Sequence, residues 1–159
     1  RHQITRIAKQ HFLREEKILR KIHVCKAYSA YQMTKLITEQ LKILVNKINA
    51  KVIIISDISG LFLSEDISHE DAHLVYSQLV SYIQKFAQEN HIVIVGFCPK
   101  HQNNTREKTL KEASLAKANV VLALRQTMYS CELELEKHYK YMLGVCDYSY
   151  AGATLTDFF

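Results

Sequence analysis

The chain predicts an α/β fold: a mainly parallel sheet with helices on both faces and an antiparallel edge at its C-terminal end. Three observations predict it. Val52 to Ile55 form an unbroken apolar run, and residues 91–97 repeat the pattern; such runs mark strands buried on both faces, as parallel sheets require. Apolar residues before and between these runs recur at helical spacing. Late in the chain Cys131, Leu133 and Leu135 alternate with Glu132, Glu134 and Glu136. A period of two with one charged face is the signature of a half-exposed antiparallel strand.

The elements follow in order. Ile4, Ile7, Ala8, His11 and Phe12 place an amphipathic helix over residues 2–13. Residues 22–28 read as a short strand. Ser29 and Gln32 form a capping box, in which side chains and end amides satisfy one another. The helix it opens carries Met33, Leu36, Ile37, Leu41, Leu44, Val45 and Ile48 on one face. A strand over 51–56 comes next. Ser68 starts a second long helix with a buried stripe of Ala72, Val75, Tyr76, Leu79, Ile83 and Phe86. After the strand at 91–97, residues 98–108 are polar and basic and read as a loop. Thr109 and Glu112 form another capping box before a short helix to Ala118. Residues 120–124 are a strand, and 141–148 pair with the alternating segment as a hairpin.

Composition narrows the class. A length of 159 residues, 48% hydrophobic content, one Pro and four Gly fit a single domain over 1–159 with one core. No apolar run approaches the ~20 residues that cross a bilayer, and no signal peptide is visible, so a cytoplasmic protein is expected, or a nuclear one in a eukaryote. Cys25, Cys98, Cys131 and Cys146 form no C-x-x-C pair and read as buried reduced thiols, not as a zinc site. Asn103-Asn104-Thr105 matches the glycosylation acceptor pattern by chance. Residues 1–51 hold 12 Lys+Arg against 3 Asp+Glu, a net +9; residues 52–159 hold 9 against 13, a net −4. That asymmetry is compatible with nucleic acid, with head-to-tail assembly, or with a solvated helix surface.

Two patterns carry chemistry. Asp57 follows the apolar run at 52–55, where α/β proteins bind ligands beyond the carboxyl ends of strands. It is placed to hold the magnesium of a nucleotide; as a local feature it caps a turn. Residues 69–73 match H-E-x-x-H, in which His69 and His73 would share a helical face around zinc, with Glu70 as general base. Three features weigh against that second reading. The histidines sit in the first turns of the helix, Asp71 puts a charge inside the motif, and no third ligand stands at a recognisable spacing. Zinc is therefore not expected, and a zinc metallopeptidase is the least favoured function. The many tyrosines read as packing residues more than as base-stacking ones.

Several strings then resemble one family in the same order. Residues 22–32, IHVCKAYSAYQ, look like the "I-x-V-x-R-A-Y … Q" strand and helix start of the RecA/RadA recombinases, especially archaeal RadA and RadB. Residues 51–62, KVIIISDISGLF, look like their Walker B strand. Residues 87–95, 113–125 and 135–138 are similar to later helix and strand segments, the last to "L-x-K-H". The resemblance implies a RecA-like three-layer core and a part in DNA recombination or repair. It further implies ATP and magnesium at Asp57, an inter-subunit nucleotide contact through Lys137, and assembly with itself or a related ATPase. Two family loops that touch DNA correspond to residues 63–68 and 98–108. Lys100, Arg106, Lys108 and Lys111 give the second a positive charge suited to phosphates.

The departures are equally specific. The phosphate loop needs G-x-x-x-x-G-K-[ST], yet Gly stands only at 60, 96, 144 and 152. Phe97-Cys98-Pro99 replaces the polar sensor, and the residue that activates water has no counterpart here. The residues given do not hydrolyse ATP by the family mechanism. Arg1 at the first position points to a piece of a longer ATPase; Phe97-Cys98 points to a diverged paralogue that acts as an assembly scaffold.

Overall fold

The computed structural model of the protein describes residues 2–98, 104–126 and 130–149. Helix α1 (His2–Gln10) and the short α2 (Glu15–Leu19) form an N-terminal pair joined by a Lys9–Glu15 ion pair of 3.1 Å. Residues 22–28 are irregular and mostly exposed. This corrects the strand expected there. A strand needs a neighbour for its amides and carbonyls, and no described strand pairs with this segment.

Helix α3 (Ala30–Lys35) opens at Ser29 as the capping pattern requires. Ser29 Oγ accepts from the Gln32 amide at 3.2 Å, while Gln32 Oε1 reaches back to the Tyr28 amide at 2.9 Å. A π-helical turn over Leu36–Gln40 links α3 to α4 (Leu41–Ile48). The buried residues here are Met33, Ile37, Leu41 and Val45, each four apart. In a regular α-helix a spacing of four drifts by about 40° per step. One wider turn resets the phase, so all four face the same core. Asn49, in the left-handed conformation at φ 51°, ends the helix.

Strand β1 (Val52–Ile55) follows, then a 3₁₀ turn over Gly60–Leu63 and the 22-residue helix α5 (His69–Asn90). Ser68 caps α5 by accepting from the Asp71 amide at 3.0 Å. His91 adopts the left-handed conformation and turns the chain into β2 (Val93–Gly96), which lies parallel to β1 with Val52 opposite Val93 and Ile55 opposite Gly96. Helix α6 (Thr105–Lys117) comes next. Then β3 (Val121–Gln126), β4 (Ser130–Lys137) and β5 (Gly144–Ser149) form an antiparallel sheet in the order β3-β4-β5.

The protein is thus mixed α/β, with a parallel two-stranded sheet and an antiparallel three-stranded one. The antiparallel C-terminal hairpin is as expected. The mainly parallel sheet is not: among the described residues the parallel part is one strand pair. Nor are β1 and β2 covered on both faces. Ile53, Ile55 and Ile94 pack against the core, but Val52 is 55%, Ile54 67% and Val93 58% exposed. A continuous apolar run fits one buried face as well as two. The core lies between helices α3, α4, α5 and α6, and Phe62, Tyr76, Leu79 and Leu110 are its largest fully enclosed side chains. Burying each such side chain contributes about 1.5–3 kcal/mol. The expected α5 stripe holds at five of six positions. Val75 is partly exposed and Val80 takes its place inside.

Two further expectations change. Helix α6 starts four residues before Thr109, because Asn104 is the cap and its Oδ1 accepts from the Glu107 amide at 2.8 Å. Thr109 is inside the helix and bonds the Arg106 carbonyl. The four thiols are free, but Cys25 and Cys146 are exposed, not buried. No helix among the described residues is long and apolar enough to cross a membrane.

Candidate functional site

Strand β1 delivers Asp57 to its carboxyl end. Beside it the ladder continues past the strands: the Phe97 amide donates to the Ile55 carbonyl at 3.0 Å, and the Ile58 amide to the Phe97 carbonyl at 3.3 Å. The chain then turns sharply. Asp57 Oδ1 accepts from the amides of Ser59 (3.2 Å) and Gly60 (2.8 Å). Oδ2 lies over the Gly60 Cα, so close that any side chain at 60 would collide with the carboxylate. A larger residue there fits only if the carboxylate moves. Asp57 caps the turn, and it stands exposed at the tip of a parallel strand.

Beneath the turn the packing is tight. Phe62 meets Tyr76 of α5 edge-on, with ring centroids 5.1 Å apart. The Tyr76 hydroxyl lies 2.5 Å from Ser114 Oγ on α6. Burial pushes the Tyr76 hydroxyl far above its usual range; the Ser114 hydrogen bond opposes this, and the charges of Cys98 and Asp57 add to it. Burial also raises the Cys98 thiol, as does Asp57, while Ser114, Lys111 and Tyr76 pull it down. Asp57, Tyr76, Cys98, Lys111 and Ser114 thus form one electrostatic neighbourhood at the carboxyl ends of β1 and β2. At neutral pH Tyr76 and Cys98 are protonated, so the group offers hydrogen-bond donors and a carboxylate, not a thiolate nucleophile. Sequence reasoning missed Tyr76 and Ser114. Tyr76 sits on an apolar stripe and reads as core, and its hydroxyl finds a partner 38 positions away.

The basic residues part company. Arg106, Lys108 and Lys111 stand on helix α6, not on a loop, and Lys100 lies outside the described residues. Lys108 is exposed and Lys111 half-buried. Arg106 turns inward: its Nε and Nη2 are shut from water and have no hydrogen-bond partner among the described residues. Lys137 donates to the carbonyls of Leu115 and Ala116 at 2.9 and 3.3 Å, where a cation complements the carboxyl end of α6. Reaching a neighbouring subunit's nucleotide would require the ammonium to leave those carbonyls.

His69 and His73 both stand exposed on α5. His73 borders a shallow groove of about 310 Å³ between α5 and α6, with Ser77, Thr109, Glu112 and Lys117. Among the described residues no group of three His, Cys, Asp or Glu side chains is placed to hold a metal ion.

Magnesium at Asp57 is a matter of donor chemistry. Two amides occupy Oδ1, while Oδ2 keeps its acceptor capacity. One carboxylate oxygen facing a hydrated cation is how magnesium is commonly held, with phosphates supplying the remaining charge. The residues fit that partial role. Set against known proteins, the chain matches no family model and no curated protein.

Proposed function

We propose that the chain is a RecA/RadA-like protein of DNA recombination or repair, with a RecA-like three-layer core, that binds DNA in a nucleotide-linked way and assembles with itself or a related ATPase. The observation that carries this reading is the exposed Asp57 carboxylate at the tip of a strand paired in parallel with the next, the two joined through α5. Ligand sites in open α/β sheets lie at such tips. The collinear strings around residues 22–32, 51–62, 87–95, 113–125 and 135–138 support it. Magnesium bound with ATP would neutralise phosphate charge; Asp57 would be the residue that holds it, and the Ser59 and Gly60 amides keep the Asp57 carboxylate in place. Without a glycine-rich phosphate cradle in these residues, the chain's own contribution is binding and assembly, not hydrolysis.

Lys108 and Lys111, one helical turn apart on α6, are the DNA-contacting cations this reading favours. The test is the affinity for a labelled oligothymidine at several salt concentrations. Affinity should fall steeply as salt rises, and Lys108→Ala should lower the logarithmic salt slope by about 0.7, the single-strand value for one phosphate contact. Absence of binding at low salt, or binding indifferent to salt, would remove DNA from the reading.

A further inference from the structure

The loop between β4 and β5, residues 138–143, holds a cluster of rings that neither the fold nor the Asp57 region uses. His138 Nδ1 accepts from two backbone amides, Lys140 at 2.9 Å and Tyr141 at 3.0 Å. This pins the imidazole within the turn. Tyr139 stacks on it with centroids 4.8 Å apart and planes 18° apart, and Tyr141 lies against it at 4.6 Å. The Lys140 ammonium sits 5.8 Å from the Tyr141 ring centroid. The cluster does not serve the core: Tyr139 is 85% and Tyr141 63% exposed, and Met142 beside them is almost wholly exposed. Large apolar side chains held in water in a fixed arrangement mark a surface used for contact.

We infer that this hairpin tip is a stacking platform for single-stranded nucleic acid, with a base laid on the outer face of Tyr139 and an adjoining phosphate met by Lys140. Three observations select this occupant. The stack is prearranged by the two amide bonds to His138, so little side-chain freedom remains to be lost on binding. Every base has a face that stacks on an aromatic ring, and the preference is tolerant of sequence. Among the described residues Lys140 pairs with no carboxylate, so its charge is available to a phosphate. Of the acids of β4, Glu134 is engaged by Arg125, Glu132 stands opposite Asp147 toward the other end of the strands, and Glu136, the nearest to the tip, forms no ion pair with Lys140 among the described residues. The platform deepens the DNA-binding reading by adding a second contact that acts through stacking, separate from the cations of α6.

The experiment is photocrosslinking and fluorescence anisotropy with a single-stranded oligothymidine carrying one 5-iodouracil. Crosslinks should map to Tyr139 or Tyr141. Tyr139→Ala should weaken binding about tenfold, the usual scale for one lost base stack, and leave the salt slope unchanged. Tyr139→Phe should bind like the wild type, and Lys140→Ala should lower the slope by about 0.7. Crosslinks confined to α6, with Tyr139→Ala binding normally, would overturn the platform and leave the DNA-binding reading standing. Loss in Tyr139→Ala with no effect of Lys108→Ala would do the reverse for the α6 contact. No binding by the wild type would end both. If Tyr139→Ala changes the sedimentation of the free protein but not its affinity for the oligonucleotide, the tip is a protein contact and the inference is wrong.

Discussion

The two sheets of this protein are held by different forces. The parallel pair β1–β2 rests one face on a helical core in which Phe62, Tyr76, Leu79 and Leu110 are almost wholly enclosed. The antiparallel sheet β3–β5 has no side chain in the fully buried class among its described residues. It depends on its hydrogen-bond ladder and on surface pairs such as Arg125–Glu134. The comparison teaches where each candidate site gets its rigidity. Asp57 is fixed by a turn seated on the core. The ring cluster of the β4–β5 tip is fixed only by its own local bonds.

The largest expected effect breaks the comparison at its centre. Leu79→Ala should cost about 3–5 kcal/mol in urea unfolding through transfer loss and the cavity left behind. Leu124→Ala, on the exposed antiparallel sheet, should cost about 1 kcal/mol or less. Similar costs at the two positions would show that the sheets share one core.

A second test concerns the turn. Gly60→Ala should destabilise by about 1–2 kcal/mol, because the new methyl displaces the Asp57 carboxylate from its two amides. In an Asp57→Ala background the same change should cost much less, and the difference is the coupling between the two residues. Additive costs would mean that the collision is relieved elsewhere.

Two smaller effects sharpen the picture of the buried neighbourhood. Tyr76→Phe should cost about 1 kcal/mol, since Ser114 Oγ still donates to the Leu110 carbonyl. The pH dependence follows from Tyr76 and Cys98, whose protons are held more tightly in the folded state, chiefly by burial. Below about pH 9, the ordinary thiol value, their contribution is fully present. As pH rises past it the unfolded chain sheds protons that the folded chain keeps, so stability falls. Cys98→Ala should flatten the onset of that fall. Stability that rises with pH in this window would contradict the burial of both groups.

Local chemistry was legible in the sequence wherever one segment decides its own shape. Ser29 with Gln32, and Ser68 before α5, marked helix starts correctly. The alternation of Glu132, Glu134 and Glu136 found the hairpin. What failed depended on partners. Residues 22–28 have strand-like composition, but a strand exists only with a neighbour. The run from Val52 to Ile55 cannot say how many of its faces will be covered. The basic segment before Thr109 was misread because Asn104 with Glu107 and Thr109 with Glu112 offer the same capping spacing, and the structure takes the earlier one. The place of Asp57 at a strand tip was legible because an acid after an apolar run is a local signal. Tyr76 and Ser114 were missed because their bond joins distant helices, and the rings around His138 because nothing in sequence shows a histidine nitrogen closing a turn.

The measurement that bears most directly on the account is single-strand binding with and without magnesium and ATP, in the wild type and in Asp57→Asn. The account predicts that magnesium with ATP shifts the affinity of the wild type and that the substitution abolishes the shift while leaving nucleotide-free binding intact. An affinity unmoved by magnesium and ATP in the wild type, or a shift of the same size in Asp57→Asn, would contradict it.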